Sequence, residues 1–158
     1  MASVFIAQCQ GCGFKQDVIQ RTNYAYRLAE PPDVFLWTQF SWCPQCQKVA
    51  QAEKLLTATE MDEWVEGRTD PKICRDMERY RQMMTSRTSP ARCLECGSTN
   101  IVAATGERQE RLIFHPACGS TIVLHHNGFV RLSGTDVYSP EGEHLTTVDG
   151  ILTPGRGY

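Results

Sequence analysis

Four short stretches limit what this chain can fold into: CQGC at 9–12, CPQC at 43–46, CLEC at 93–96 and HPAC at 115–118. Each places two thiolate or imidazole donors at either side of two residues. That spacing lets both donors reach one ion from a tight turn, so each stretch is half of a four-coordinate metal site. A glycine follows three of the four, at Gly13, Gly97 and Gly119, where a positive φ would otherwise meet a Cβ clash; Gln47 holds the equivalent place after the second. In the last stretch imidazole replaces one thiolate, and Pro116 fixes φ within the turn.

Pairing the half-sites in chain order gives two complete sets of structural zinc ligands. The first is Cys9, Cys12, Cys43 and Cys46, with 30 residues between its halves; the second is Cys93, Cys96, His115 and Cys118, with 18 between. The shorter gap is usual for a two-knuckle zinc site. Four cysteines, or three cysteines with one histidine, are both ordinary structural sets. The prediction is two structural Zn2+ per chain. Three rivals are disfavoured. A crossed arrangement with alternate pairs sharing a metal conflicts with the helical segment between the second and third pairs. Cys74 falls within that helix and makes no knuckle. A disulfide framework would need an oxidising compartment.

The opening MASVFIAQCQGCG lacks the basic and apolar regions of a signal peptide, and no run is long and apolar enough to span a membrane, so the expected location is cytoplasmic. A composition 41% hydrophobic and 22% charged is that of an ordinary soluble chain.

Strand signals surround the half-sites: ASVFIAQ (2–8), FKQDVIQ (14–20), a further candidate from Tyr24 to Leu28, FLWTQFSW (35–42), KVAQAEKL (48–55), LIFH (112–115) and STIVLHH (120–126). Asn127-Gly128 reads as a hairpin turn into FVRLS, and residues 136–146 read as another hairpin. Between them lie two helix signals. One is a Thr-capped TATEMDEWVEG; the other opens with Asp70 and Pro71 and carries Ile73, Met77, Tyr80 and Met84 on one stripe.

Strand, knuckle, strands, second knuckle, strand: residues 1 to about 56 and 90 to about 126 each resemble a zinc ribbon, a resemblance specific to metal binding and silent about any one family. The expected fold is mainly β with a helical connector, an α+β arrangement of two zinc-ribbon-like β modules joined by helices. The expected boundaries are an N-terminal module over 1–56, the connector over 57–89, a C-terminal module with a β-hairpin extension over 90–150, and a flexible tail over 151–158.

Function is less legible. Sites closed by four protein ligands leave no position for a reacting water, which points away from catalysis. No phosphate-cradling glycine loop, G-x-S-x-G or H-E-x-x-H is present, and no C-x-x-C has the βαβ setting of a redox motif. No small-molecule substrate is expected. The formal charge of −2 falls to about −5 once zinc-bound thiolates are counted, which disfavours general phosphate-backbone binding. Between Arg68 and Arg92, however, seven basic residues stand against three acidic ones. The expected role is a non-catalytic, zinc-held adaptor for a protein partner. The alternative is a nucleic-acid-binding or transcription-associated ribbon using the Arg-rich helix. Candidate partner contacts are Phe35 and Trp37, on one side of an apolar strand, and Lys72, Arg75 and Arg79.

Overall fold

A computed structural model describes residues 2–105 and 111–149. In chain order its elements are β1 (Ala2–Cys9), β2 (Lys15–Gln20), β3 (Tyr24–Tyr26), β4 (Val34–Phe35), β5 (Thr38–Cys43), β6 (Lys48–Glu53), α1 (Ala58–Val65), α2 (Pro71–Ser86), β7 (Val102–Ala103), β8 (Leu112–His115), β9 (Ser120–Val130), β10 (Thr135–Tyr138) and β11 (His144–Val148). The fold is mainly β with two helices among the described residues. The expected tail over 151–158 lies outside the described residues.

The chain divides into two units, but not at the expected boundaries. One unit takes Met1–Thr22, Thr38–Glu53 and Ala91–Leu132; the other takes Asn23–Trp37, Lys54–Pro90 and Ser133–Tyr158. Half-sites expected in separate modules therefore share one unit. The physical reason is strand pairing across the length of the chain. β1 pairs with β9 from Ala2↔Val130 to Cys9↔Ile122, burying more strand than any local hairpin offers.

The first unit holds two sheets. One has the order β2-β1-β9-β8, the other β6-β5-β7. Their buried residues form one core: Phe5, Ala7, Val18, Ile113, Ile122 and Leu124 from the first sheet meet Phe40, Trp42 and Val49 from the second. Two glutamines stitch β2 to β6 by imitating backbone. The Gln16 amide donates to the Val49 carbonyl and accepts from the Val49 N–H, both at 2.9 Å. Gln51 does the same in reverse with Arg21, accepting from its N–H at 2.8 Å and donating to its carbonyl at 2.9 Å.

The Asn127-Gly128 turn does not form. β9 runs through it as one strand, and the register against β1 shifts so that Val4 faces Gly128 and Phe5 faces His126, leaving Asn127 as the extra residue of a bulge. Gly128 absorbs the distortion at φ 125°. Pairing along the whole of β1 outweighs a two-residue turn preference.

The second unit contains a sheet in the order β11-β10-β3-β4, with β3 and β10 parallel, and the two helices. The expected hairpin over 136–146 is present as β10 and β11, paired with β3 rather than extending a ribbon. Thr57 caps α1 in a reciprocal capping box with Glu60, and Asp70 accepts from the Lys72 N–H at 2.8 Å ahead of Pro71 to start α2. The buried residues of α2 are Met77, Tyr80 and Met83; Met84, expected on that stripe, is only half-buried. FLWTQFSW is likewise divided. It breaks between β4 and β5, so Phe35, Leu36 and Trp37 belong to the second unit while Phe40 and Trp42 enter the core of the first.

Candidate metal centres

Each half-site is the turn of a hairpin or the lead into a strand. The first joins β1 to β2, the second β5 to β6, and the fourth β8 to β9, while the third precedes β7. After each, the residue at the exit has positive φ: 75° at Gly13, 55° at Gln47, 74° at Gly97 and 71° at Gly119. Gln47 is the one non-glycine with positive φ among the described residues, and its side-chain amide donates to the Pro44 carbonyl at 2.6 Å, closing the turn.

The half-sites meet in nested order, first with fourth and second with third. Cys9, Cys12, His115 and Cys118 form one cluster; Cys43, Cys46, Cys93 and Cys96 form the other. All eight expected ligands are thus clustered, but the sequential partition into Cys9–Cys12–Cys43–Cys46 and Cys93–Cys96–His115–Cys118 is corrected. Topology dictates the change. β1 ends at Cys9 and β9 begins just after Cys118, so their antiparallel pairing sets the two turns side by side, tied by the Gln10 N–H donating to the Thr121 carbonyl at 2.9 Å. The approach is close enough that a Cβ on Gly11 would lie 2.5 Å from the Ser120 Cβ.

The second cluster forms at the β5–β6 hairpin. Residues 92–94 run along β6: Glu53 donates its N–H to the Arg92 carbonyl at 2.9 Å, Ala52 bridges Cys93, and the Leu94 N–H donates to the Gln51 carbonyl at 3.0 Å. An ion pair between Lys48 and Glu95 spans the two turns.

The donor separations in both clusters suit a tetrahedral ion. Metal–sulfur bonds of about 2.3 Å put tetrahedral sulfurs about 3.8 Å apart, and sulfur and imidazole nitrogen about 3.5 Å apart. Cys9 and Cys118 sulfurs are 3.5 Å apart, and His115 Nδ1 stands 3.4 Å from the sulfurs of Cys9, Cys12 and Cys118. In the other cluster the Cys43–Cys96 and Cys46–Cys93 separations are 3.5 and 4.0 Å. A disulfide needs about 2.05 Å. Each cluster could bind a metal ion, and the pair fits zinc-ribbon-like sites.

The surroundings divide the ligands by exposure. Cys9, His115, Cys43 and Cys93 are buried, whereas Cys12, Cys96 and Cys118 are exposed. Burial pushes the Cys9 thiol up, but the Gly11 N–H at 3.4 Å and the contacts with His115, Cys12 and Cys118 outweigh it and hold it at about 6. Burial lifts Cys93 to about 11 against the pull of the Glu95 and Cys96 amides. Burial and crowding by neighbouring thiols raise Cys46 as well. Four thiols cannot all ionise at such range without a cation, so a bound ion would displace protons from them.

Two residues unnoticed in the sequence shape the first cluster. The His115 ring is packed edge-on by Trp42, with centroids 4.6 Å apart, and at a tilt of 43° by Phe14 at 5.2 Å. Their positions carried a signal: Phe14 follows the first half-site and Trp42 immediately precedes the second. Cys74 lies outside both clusters, exposed on α2, with its sulfur 3.8 Å from the Arg68 carbonyl. His125, His126 and His144 are exposed and belong to neither.

The candidate partner contacts lie in the second unit. Phe35 and Trp37 are half-buried, their rings 5.1 Å apart edge to face, and Trp64 of α1 covers Trp37 at 4.4 Å. Lys72 and Arg75 are exposed; Arg79 is half-buried and donates to the Glu30 carbonyl. No helix among the described residues is long and apolar enough to cross a membrane. Compared with known proteins, the chain matches no family model, no curated protein and no solved structure.

Proposed function

We propose that this chain is a non-catalytic, intracellular scaffold held by two structural zinc ions, presenting its surface to a protein partner. The observation that carries the reading is the completeness of both clusters, each of which brings four protein donors within 4.8 Å of one another. A hydrolytic or Lewis-acid zinc needs an open position, which a fourth protein ligand occupies. Zinc is favoured over other ions because thiolate and imidazole in a tetrahedron match its preferences. Apparent binding energies of about 10–16 kcal/mol per structural zinc would be coupled to folding.

Protein docking is favoured over nucleic-acid binding by how the basic residues are used. Arg81 pairs with Asp62 at 2.7 Å and with Glu78 at 3.7 Å, Arg68 lies over the Trp64 ring at 4.1 Å, and Arg79 is engaged by the Glu30 carbonyl. Meanwhile Phe129, Phe114 and Ile19 of the first unit are 68%, 54% and 43% exposed, apolar side chains open to a protein partner.

Two measurements test the reading. Elemental analysis of purified protein should give two zinc ions per chain. Anisotropy of labelled single- and double-stranded DNA and RNA should show no salt-sensitive binding. Tight binding that collapses with salt and is blunted by Arg75→Glu would establish the nucleic-acid alternative instead.

A further inference from the structure

One strand touches both clusters: β5 carries a ligand of the second and a ring packed against a ligand of the first. On β5, Trp42 and Cys43 are consecutive, so their side chains leave opposite faces. Cys43 points into the second cluster, with its sulfur 3.5 Å from that of Cys96. Trp42 points into the common core, where its ring meets the edge of His115, a ligand of the first cluster, at 4.6 Å and 62°. Phe14 completes a triangle, 5.2 Å from the His115 ring and 5.4 Å from Trp42. The His115 ring is buried, so its orientation is set by these neighbours. An ion in the second cluster would fix Cys43, and through one peptide unit the place of Trp42.

We infer that the two metal centres bind cooperatively, with Trp42 as the positioning residue that links Cys43 in one to His115 in the other. This rests on the two-zinc reading above and deepens it. The centres are neither independent staples nor a shared cluster. Filling either one pre-orients a ligand of the other, so each raises the other's affinity by the same factor, as linkage requires. An edge-to-face aromatic contact of this kind corresponds to a factor between about 2 and about 12 in affinity.

Cobalt(II) titration of the full chain tests the link, because a centre with one imidazole and a centre of four thiolates have distinguishable ligand-field bands. Cys96→Ala removes an exposed ligand of the second centre and should weaken cobalt binding at the first by about 2- to 12-fold. Cys118→Ala should weaken the second centre by the same factor. In a Trp42→Leu background, Cys96→Ala should have no further effect on the first centre. Phe14→Leu, at a half-buried position that tolerates change better, should also shrink the coupling, while Trp42→Phe should retain part of it. An unaltered first-centre affinity in Cys96→Ala overturns the inference, as does full coupling in both Trp42→Leu and Phe14→Leu. Fewer than two ions in the unmutated chain would instead overturn the two-zinc reading, so the two failures are distinguishable.

Discussion

Gln16→Ala is expected to destabilise the first unit far more than a half-buried glutamine normally would. β6 is the edge of its sheet, and Val49 has no solvent exposure, yet its N–H and C=O are both engaged by the Gln16 amide at 2.9 Å. Removing the amide strands two buried backbone groups. Each costs roughly 1–3 kcal/mol when left unpaired, and partial rehydration at an edge puts the sum for the pair in its lower half, about 3 kcal/mol. For a chain of this size that is a fall of about 6–12 °C in Tm. Thermal unfolding of the zinc-loaded variant measures it. Hydrogen exchange at the Val49 amide locates the loss, and Lys15→Ala, an exposed change on the same strand, is the control. Gln16→Glu keeps the acceptor and loses the donor to Val49, so it should fall between. A Tm shift of Gln16→Ala within about 1 °C of the control, with Val49 still protected, would refute the reasoning.

Four further outcomes are expected. The double variant Cys9→Ala/Cys118→Ala should lose one metal and keep the other, since both belong to one cluster; under sequential pairing it would lose both, and elemental analysis decides. Gly11→Ala should weaken that same centre most, because the new Cβ meets Ser120 at 2.5 Å; cobalt spectra would show the bands of the histidine-containing centre diminished, with the four-cysteine centre still filling at an affinity lowered by no more than the coupling factor. Gln47→Val, which removes the hydrogen bond to the Pro44 carbonyl and places a β-branched residue at φ 55°, should lower stability by about 1 kcal/mol in denaturant titration. The Glu60 carboxyl is held below its usual range, chiefly by the hydrogen bond from Lys54 and then by the Thr57 N–H. Its contribution is therefore complete above the ordinary carboxylate pKa and fades as pH falls through its own lowered value. Glu60→Gln should flatten that acid limb of the stability curve.

The candidate ligands were readable because metal chemistry admits few residue types at a two-residue spacing, and every one of the eight stands in a cluster that could hold an ion. Their partners were not. Loop closure costs only about 0.6 kcal/mol per doubling of length. Joining Cys12 to His115, 103 positions away, is thus only about 1 kcal/mol dearer than joining it across the 30-residue gap to Cys43. Distance along the chain is a weak guide when strand pairing such as β1 with β9 can outweigh it. The same long-range pairing turned Asn127-Gly128 from a hairpin into a bulge. The capped helices, whose signals are local, fell where the sequence put them. FLWTQFSW misled because alternating apolar residues look alike whether they serve one sheet or are divided between two units.

Nesting also has a consequence for biosynthesis. The second cluster closes between Cys46 and Cys93, 47 positions apart, wholly inside the span from Cys12 to His115. A ribosome adding about 5–20 residues per second reaches Cys96 before His115, so the inner centre can close first. The two earliest cysteines must then wait about 5–20 seconds for their partners to be made. Unlike tandem ribbons, which could mature one after the other from the N-terminus, a chain with nested centres would mature from the inside outward. Its first-made thiols would be the last to gain an ion.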